Sequence, residues 1–116
     1  MIDVKTLAHF IGSEELHVYG PRLKYTDGVK YVCEEGEAFW LLDLINSYEL
    51  HVKAVIAEEF QVWRLKVDLE KNEGVMTCDD GNDNIIITQR IPFTDFPLAE
   101  IKFYYEYGVL MLPIER

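Results

Sequence analysis

Cysteine, serine and positive charge are scarce in this chain, and each scarcity removes a class of chemistry. Cys33 and Cys78 are the only cysteines and share no C-x-x-C spacing, so the sequence supplies neither a disulfide framework nor a zinc knuckle. Both are expected as reduced thiols in apparent strands of the core. Ser13 and Ser47 are the only serines, and neither lies in a G-x-S-x-G turn. The glycines form no G-x-G-x-x-G or P-loop pattern, which leaves nucleotide phosphate binding unsupported. His9, His17 and His51 are scattered without H-x-H or H-E-x-x-H spacing. No catalytic residue, metal set or cofactor is therefore expected.

Lys and Arg number 11 against 21 Asp and Glu, a formal charge of −10. That balance disfavours phosphate backbones and anionic lipid, so neither direct nucleic-acid binding nor a membrane partner is expected. No apolar run approaches membrane-spanning length, and the first residues lack the basic, apolar and small-residue tiers of a secretory signal. A soluble, cytoplasmic protein is the expectation.

What is abundant is apolar surface. Apolar residues make up 49% of the 116 and aromatics 13%, enough to offset ordering entropy and fill one core. A single domain over residues 1–116 is expected, with no repeat or linker. Asp3 can cap a short helix through Val4, Leu7, Ala8 and Ile11, with Gly12 to end it and His9 facing water. Residues 13–21 read as a connection, apart from a brief extended piece at His17–Tyr19. Asp27-Gly28 suits the positive φ angles of a two-residue hairpin between strands Leu23–Thr26 and Val29–Cys33. Glu34-Glu35-Gly36 breaks that second strand, and a helix from Glu37 to Tyr48 carries the widest apolar arc, with Trp40, Leu44 and Tyr48 along it. So wide an arc needs cover from more than one direction, by this chain or another.

Glu49–Glu59 reads as a connection with helical turns. Phe60–Leu69 alternates from Trp63 onward and is the clearest strand; Val75–Cys78 and Ile85–Ile91 follow after turns, making a three-strand meander closed by Pro92. Asp95 and Pro97 predict a second long helix carrying Leu98, Ile101, Tyr104 and Tyr105 to Gly108. Val109–Leu112 adds a final edge strand. The fold class is α+β, a mainly antiparallel sheet (hairpin plus three-strand meander) with two or three helices packed on one face.

Two surface clusters stand out. Glu34, Glu35 and Glu37 place negative charge near a helix N-terminus, where the macrodipole favours it, and with Asp43 they form an acidic patch suited to a basic partner. Phe103, Tyr104 and Tyr107 belong to an aromatic run that one helix face cannot bury whole, leaving rings for a partner or a second copy. The run Asp79–Asn84 is rich in ligand oxygens but lacks the EF-hand spacing and reads as a polar turn.

The segments YTDGVKYVCEEGEAFWLLDLI, EFQVWRLKV and ITQRIPFTDFPLAEIKFYYEYGVLMLP, taken together, resemble a family of small acidic bacterial proteins of unknown function. The resemblance implies one domain and brings no activity, cofactor or catalytic residue. The leading expectation is a small intracellular binding or accessory protein, acting on a protein partner or on itself as a homodimer. An acidic antagonist imitating nucleic-acid charge, and a small-molecule binder or small enzyme, are the competing readings, with an enzyme ranked below a binding module.

Overall fold

The computed structural model describes residues 2–10 and 15–116. Asp3 accepts the Lys5 N–H and caps α1 (Val4–Leu7). Gly12, expected to stop this helix, lies outside the described residues, as does Ile11. Val4 and Ala8 are exposed, so the apolar face of α1 is only partly used.

The Asp27-Gly28 hairpin is not formed. The hairpin lies one element earlier, where β1 (His17–Gly20) pairs antiparallel with β2 (Leu23–Tyr25) across Pro21 and Arg22. Asp27 instead opens a helix, α2 (Asp27–Glu35), because Thr26 Oγ1 accepts the Val29 N–H as an N-cap and Asp27 suits the positive end of the dipole. Gly28 serves close approach and not a left-handed turn. A Cβ there would stand 2.6 Å from Glu115 Oε1 and 2.7 Å from Leu112 Cδ1. Cys33 accordingly sits on a helix, with Val29 and Val32 in the core.

α3 (Phe39–His51) is the expected central helix, extended beyond Tyr48. Leu41, Leu42 and Ile45 are fully buried, while Trp40, Leu44 and Tyr48 are half-buried on its flank. The chain supplies part of their cover itself. Tyr48 packs on Trp63 with ring centroids 5.7 Å apart, and its hydroxyl donates to Gln89 Oε1 at 2.5 Å. After a break at Val52, α4 (Lys53–Ile56) completes the helical layer.

The meander is β3 (Phe60–Asp68), β4 (Glu73–Asp79) and β5 (Ile85–Ile91), antiparallel throughout. The second long helix after Pro97 does not exist. Residues Glu100–Glu106 are β6, paired antiparallel with β3. Ile101, Phe103 and Tyr105 alternate inward, a period of two that fits a strand and that i, i+3, i+4 reading had claimed for a helix. β7 (Val109–Met111) is not an edge: it runs between β6 and β2, parallel to β2. A 3-10 turn, Pro113–Glu115, follows it.

Among the described residues the result is one mixed seven-stranded sheet in the order β1-β2-β7-β6-β3-β4-β5, larger than the hairpin and meander expected, with a single parallel pair. The inward row of β3, from Gln61 through Trp63, Leu65 and Val67, faces the helices; its outward row, including Arg64 and Lys66, lies on the uncovered face. No helix among the described residues is long and apolar enough to cross a membrane.

Candidate functional site

The β6–β7 connection is a two-residue turn between the paired residues Glu106 and Val109. Tyr107 has φ 55 and Gly108 φ 77, the positive pair a tight hairpin turn of this hand requires. Glycine meets that demand without strain, but a bulky aromatic residue does not. The other non-glycine residues with positive φ are Asn72, Asp83 and Glu37. Asn72 and Asp83 are of the residue types that tolerate the conformation. Tyr107 and Glu37 are not, and both are exposed, Tyr107 at 93%.

Beside Tyr107 lies a recess of about 280 Å³ lined by Arg22, Ile56, Glu58, Glu59 and Tyr105. The Tyr105 hydroxyl donates to the Arg22 carbonyl at 2.5 Å, tying the β1–β2 turn to β6. Burial and the nearby Glu49 carboxyl push the Tyr105 hydroxyl up to about 12.

Behind this recess the core holds a polar cluster that the sequence reading missed. Glu49, on α3, has no exposed surface. It continues the buried stripe of Leu41 and Ile45 at i+4 spacing, one residue past the Tyr48 boundary that the sequence predicts for this helix. Gln61 likewise continues the inward alternation of Trp63 by one more step. The Gln61 amide nitrogen donates toward Val55 O at 2.7 Å, Glu58 O at 3.1 Å and Glu49 Oε1 at 3.2 Å. Its oxygen accepts the Trp63 indole N–H at 2.9 Å and faces Cys78 Sγ at 4.0 Å. Glu49 Oε2 and Asn46 Oδ1, one turn apart on α3, are buried with no hydrogen-bond partner among the described residues. Burial pushes the Glu49 carboxyl from 4.5 up to about 7, with Gln61, Arg22 and Trp63 offsetting only part of the rise.

The residues expected at the acidic and aromatic partner surfaces lie on several elements, and one of them is buried. Glu34, Glu35 and Glu37 are exposed at the α2–α3 corner. Glu34 and Glu35 close the last turn of α2, the end of the dipole that disfavours carboxylates, so the favourable helix N-terminus does not explain them. Lys30 lies 3.9 Å from Glu34 and offsets a little of this. Asp43 is exposed on α3 and accepts the Tyr19 hydroxyl, a bond that pushes the tyrosine up to about 12. Phe103 is withdrawn from any surface role: it points inward from β6 and is fully buried in the core. Tyr104 points the other way, onto the uncovered sheet face, 5.2 Å from the Phe60 ring. Arg116 lies 4.4 Å over Phe60 and 5.7 Å over Tyr104. Tyr107 stands at the end of β2 and β7 opposite the start of α2.

The oxygen-rich run at Asp79–Asn84 spends its carboxylates on its own turn. Asp80 Oδ1 accepts Asn82 N at 2.8 Å, and Asp80 Oδ2 accepts the Asn84 side chain at 2.8 Å, bonds that hold the carboxyl below its usual range. Asp79 pairs with Arg64 at 3.3 Å. His17 is half-buried and lies 2.8 Å from Asp27 Oδ1, whereas His9 and His51 are exposed. Cys33 and Cys78 are buried free thiols, and burial pushes both upward, Cys33 to about 12. Among the described residues no three His, Cys, Asp or Glu side chains are grouped to hold a metal ion.

Comparison with family profiles matches residues 2–116. The chain belongs to DUF6876, a family of unknown function. No curated protein and no solved structure matches it. The family match agrees with the resemblance carried by the three sequence segments and adds no activity to it.

Proposed function

We propose that this is a small binding or accessory protein that acts through protein–protein contacts, with Tyr107 as an anchor. The observation that carries the reading is the Tyr107 side chain itself: a large aromatic ring, 93% exposed, on a turn position where Asn or Gly would be free of strain. Strain retained at an exposed residue points to a role outside the fold, and tyrosine is enriched where proteins meet. Glu37 supports the same reading at a second exposed, left-handed position.

Imitation of nucleic-acid charge is the weaker reading. Glu34, Glu35 and Glu37 sit on the helical side, whereas Asp79 pairs with Arg64 on the uncovered sheet face. A duplex mimic would need its carboxylates in one continuous array.

The deciding experiment is affinity capture from source-cell lysate with the wild-type protein and Tyr107→Asn, alongside light scattering to detect self-association. The reading expects a bound protein, or a dimer, that is lost at least tenfold in the variant while the fold persists. Equal capture and equal mass for both proteins would remove Tyr107 as the anchor.

A further inference from the structure

Glu49 has too few donors. The Gln61 amide nitrogen carries two hydrogens but faces three acceptors, and the Glu49 oxygen is the farthest of them at 3.2 Å. The second Glu49 oxygen has no hydrogen-bond partner among the described residues. The groups facing this carboxyl are Gln61 and Trp63 from β3, Cys78 from β4, Tyr105 from β6 and Arg22 from the β1–β2 turn, while the charges of Glu58 after α4 and Asp79 of β4 act on the same Cys78 thiol. Arg22 is the only cation among them, and it lies on the exposed turn. An ionised carboxylate in this position is buried without an adequate countercharge and is disfavoured, whereas the protonated form is neutral.

The relief available to the ionised form is local. α4 has four residues, no side-chain cap and a non-helical break at Val52 on its N-terminal side. Its segment is held to the sheet by Gln61, which binds the carbonyls of Val55 and Glu58 with the same nitrogen that faces Glu49. Val55 is the one residue of α4 that is fully buried. Ile56, Glu58 and Glu59 from this segment also form one wall of the recess beside Tyr107. Short elements with few buried contacts open first.

We propose that Glu49 is a proton-gated latch: protonated, it lets Gln61 hold residues 53–59 against the sheet; ionised, it draws in water, releases that segment and opens the recess beside Tyr107. The latch's value as regulation rests on the reading of Tyr107 as an anchor, but its chemistry is testable without a partner. The bond change is a single proton transfer from the Glu49 carboxyl to water as the recess is hydrated.

Hydrogen exchange of the Val55–Glu58 amides, corrected for intrinsic rates, is measured at pH 5 and pH 8 in the wild type and in Glu49→Gln. The latch expects wild-type protection to fall on the order of 50-fold across this interval, with no such fall in the variant. Carbon-13 titration of the Glu49 carboxyl in the wild type provides a second readout that needs no variant, and a midpoint near 7 is expected. Protection that is equal at the two pH values, or that falls equally in Glu49→Gln, overturns the proposal. So does a carboxyl midpoint near 4.5. If the latch titrates but Tyr107→Asn captures partner normally, the anchor fails and the latch stands. If capture depends on Tyr107 and the amides ignore pH, the reverse holds.

Discussion

Glu49 and Tyr107 violate the ordinary placement of residues in opposite senses. A carboxyl sits on the core stripe of the central helix, where Leu41 and Ile45 precede it, and an aromatic ring sits on a turn where a small polar residue or glycine would rest without strain. The first is costly in its ionised form because the carboxyl is buried; the second is costly because the backbone is forced. The lesson is that the two violations adjoin one recess: Tyr107 lines it, and Tyr105 and Arg22 connect its wall to Glu49. Local rules broken at neighbouring positions mark a functional region more strongly than either would alone.

The largest effect is expected at Gln61. Gln61→Leu leaves two carbonyls, the Trp63 indole and Glu49 without their shared partner, and urea denaturation should register a loss of about 4 kcal/mol. A loss below about 1 kcal/mol would mean water replaces the amide.

Glu49→Gln tests the same region with the opposite sign. Because the folded carboxyl is raised from 4.5 to about 7, its proton-linked stability is fully present below pH 4.5 and lost as pH rises through 7. Glu49→Gln should therefore be about 3 kcal/mol more stable than the wild type at pH 8, with the difference vanishing near pH 4. Thermal melts across pH 4–8 read this directly, and parallel curves for the two proteins would contradict it.

At the turn the expected changes are smaller. Tyr107→Asn relieves a left-handed aromatic residue and should raise stability by about 1 kcal/mol in chemical denaturation, while binding is lost. Gain of stability with loss of capture separates an anchor from a packing residue. Glu37→Gly should gain about 0.5 kcal/mol, the relief of strain being offset by glycine's chain entropy. A destabilised Glu37→Gly would place that residue with the structural turns Asn72 and Asp83 instead of with Tyr107.

The legible parts of the fold were those where one periodicity had no competitor. β3 alternates from Trp63, β4 and β5 follow through polar turns, and α3 shows a broad helical arc. Asp27-Gly28 misled because its two signals compete: the dipeptide permits a tight turn, but Thr26 ahead of it caps a helix and Glu115 approaches where a Cβ would be. β6 misled because Leu98, Ile101 and Tyr105 fit a helical face as well as Ile101, Phe103 and Tyr105 fit a strand, and β3 pairing decides between them. The placement of β7 depends on a contact with residues more than eighty positions away, which no local pattern carries. At the site, Tyr107 was visible as a surplus aromatic ring. Glu49 and Gln61 were not, because polar residues ended the periodic reading at the two places where the core itself is polar.

The single parallel pair has a consequence for the order of assembly. β1 and β2 touch the rest of the sheet only through β7, and Glu115 then fastens α2 by accepting Thr26 Oγ1 at 2.6 Å and Gly28 N at 3.2 Å. On a ribosome, the strands at positions 17–25 are made before β7, and β2 gains its second neighbour in the sheet when residues 109–111 emerge. Until then one edge of the β1–β2 hairpin stays open, a long-range closure that is slow and exposes apolar surface while it waits.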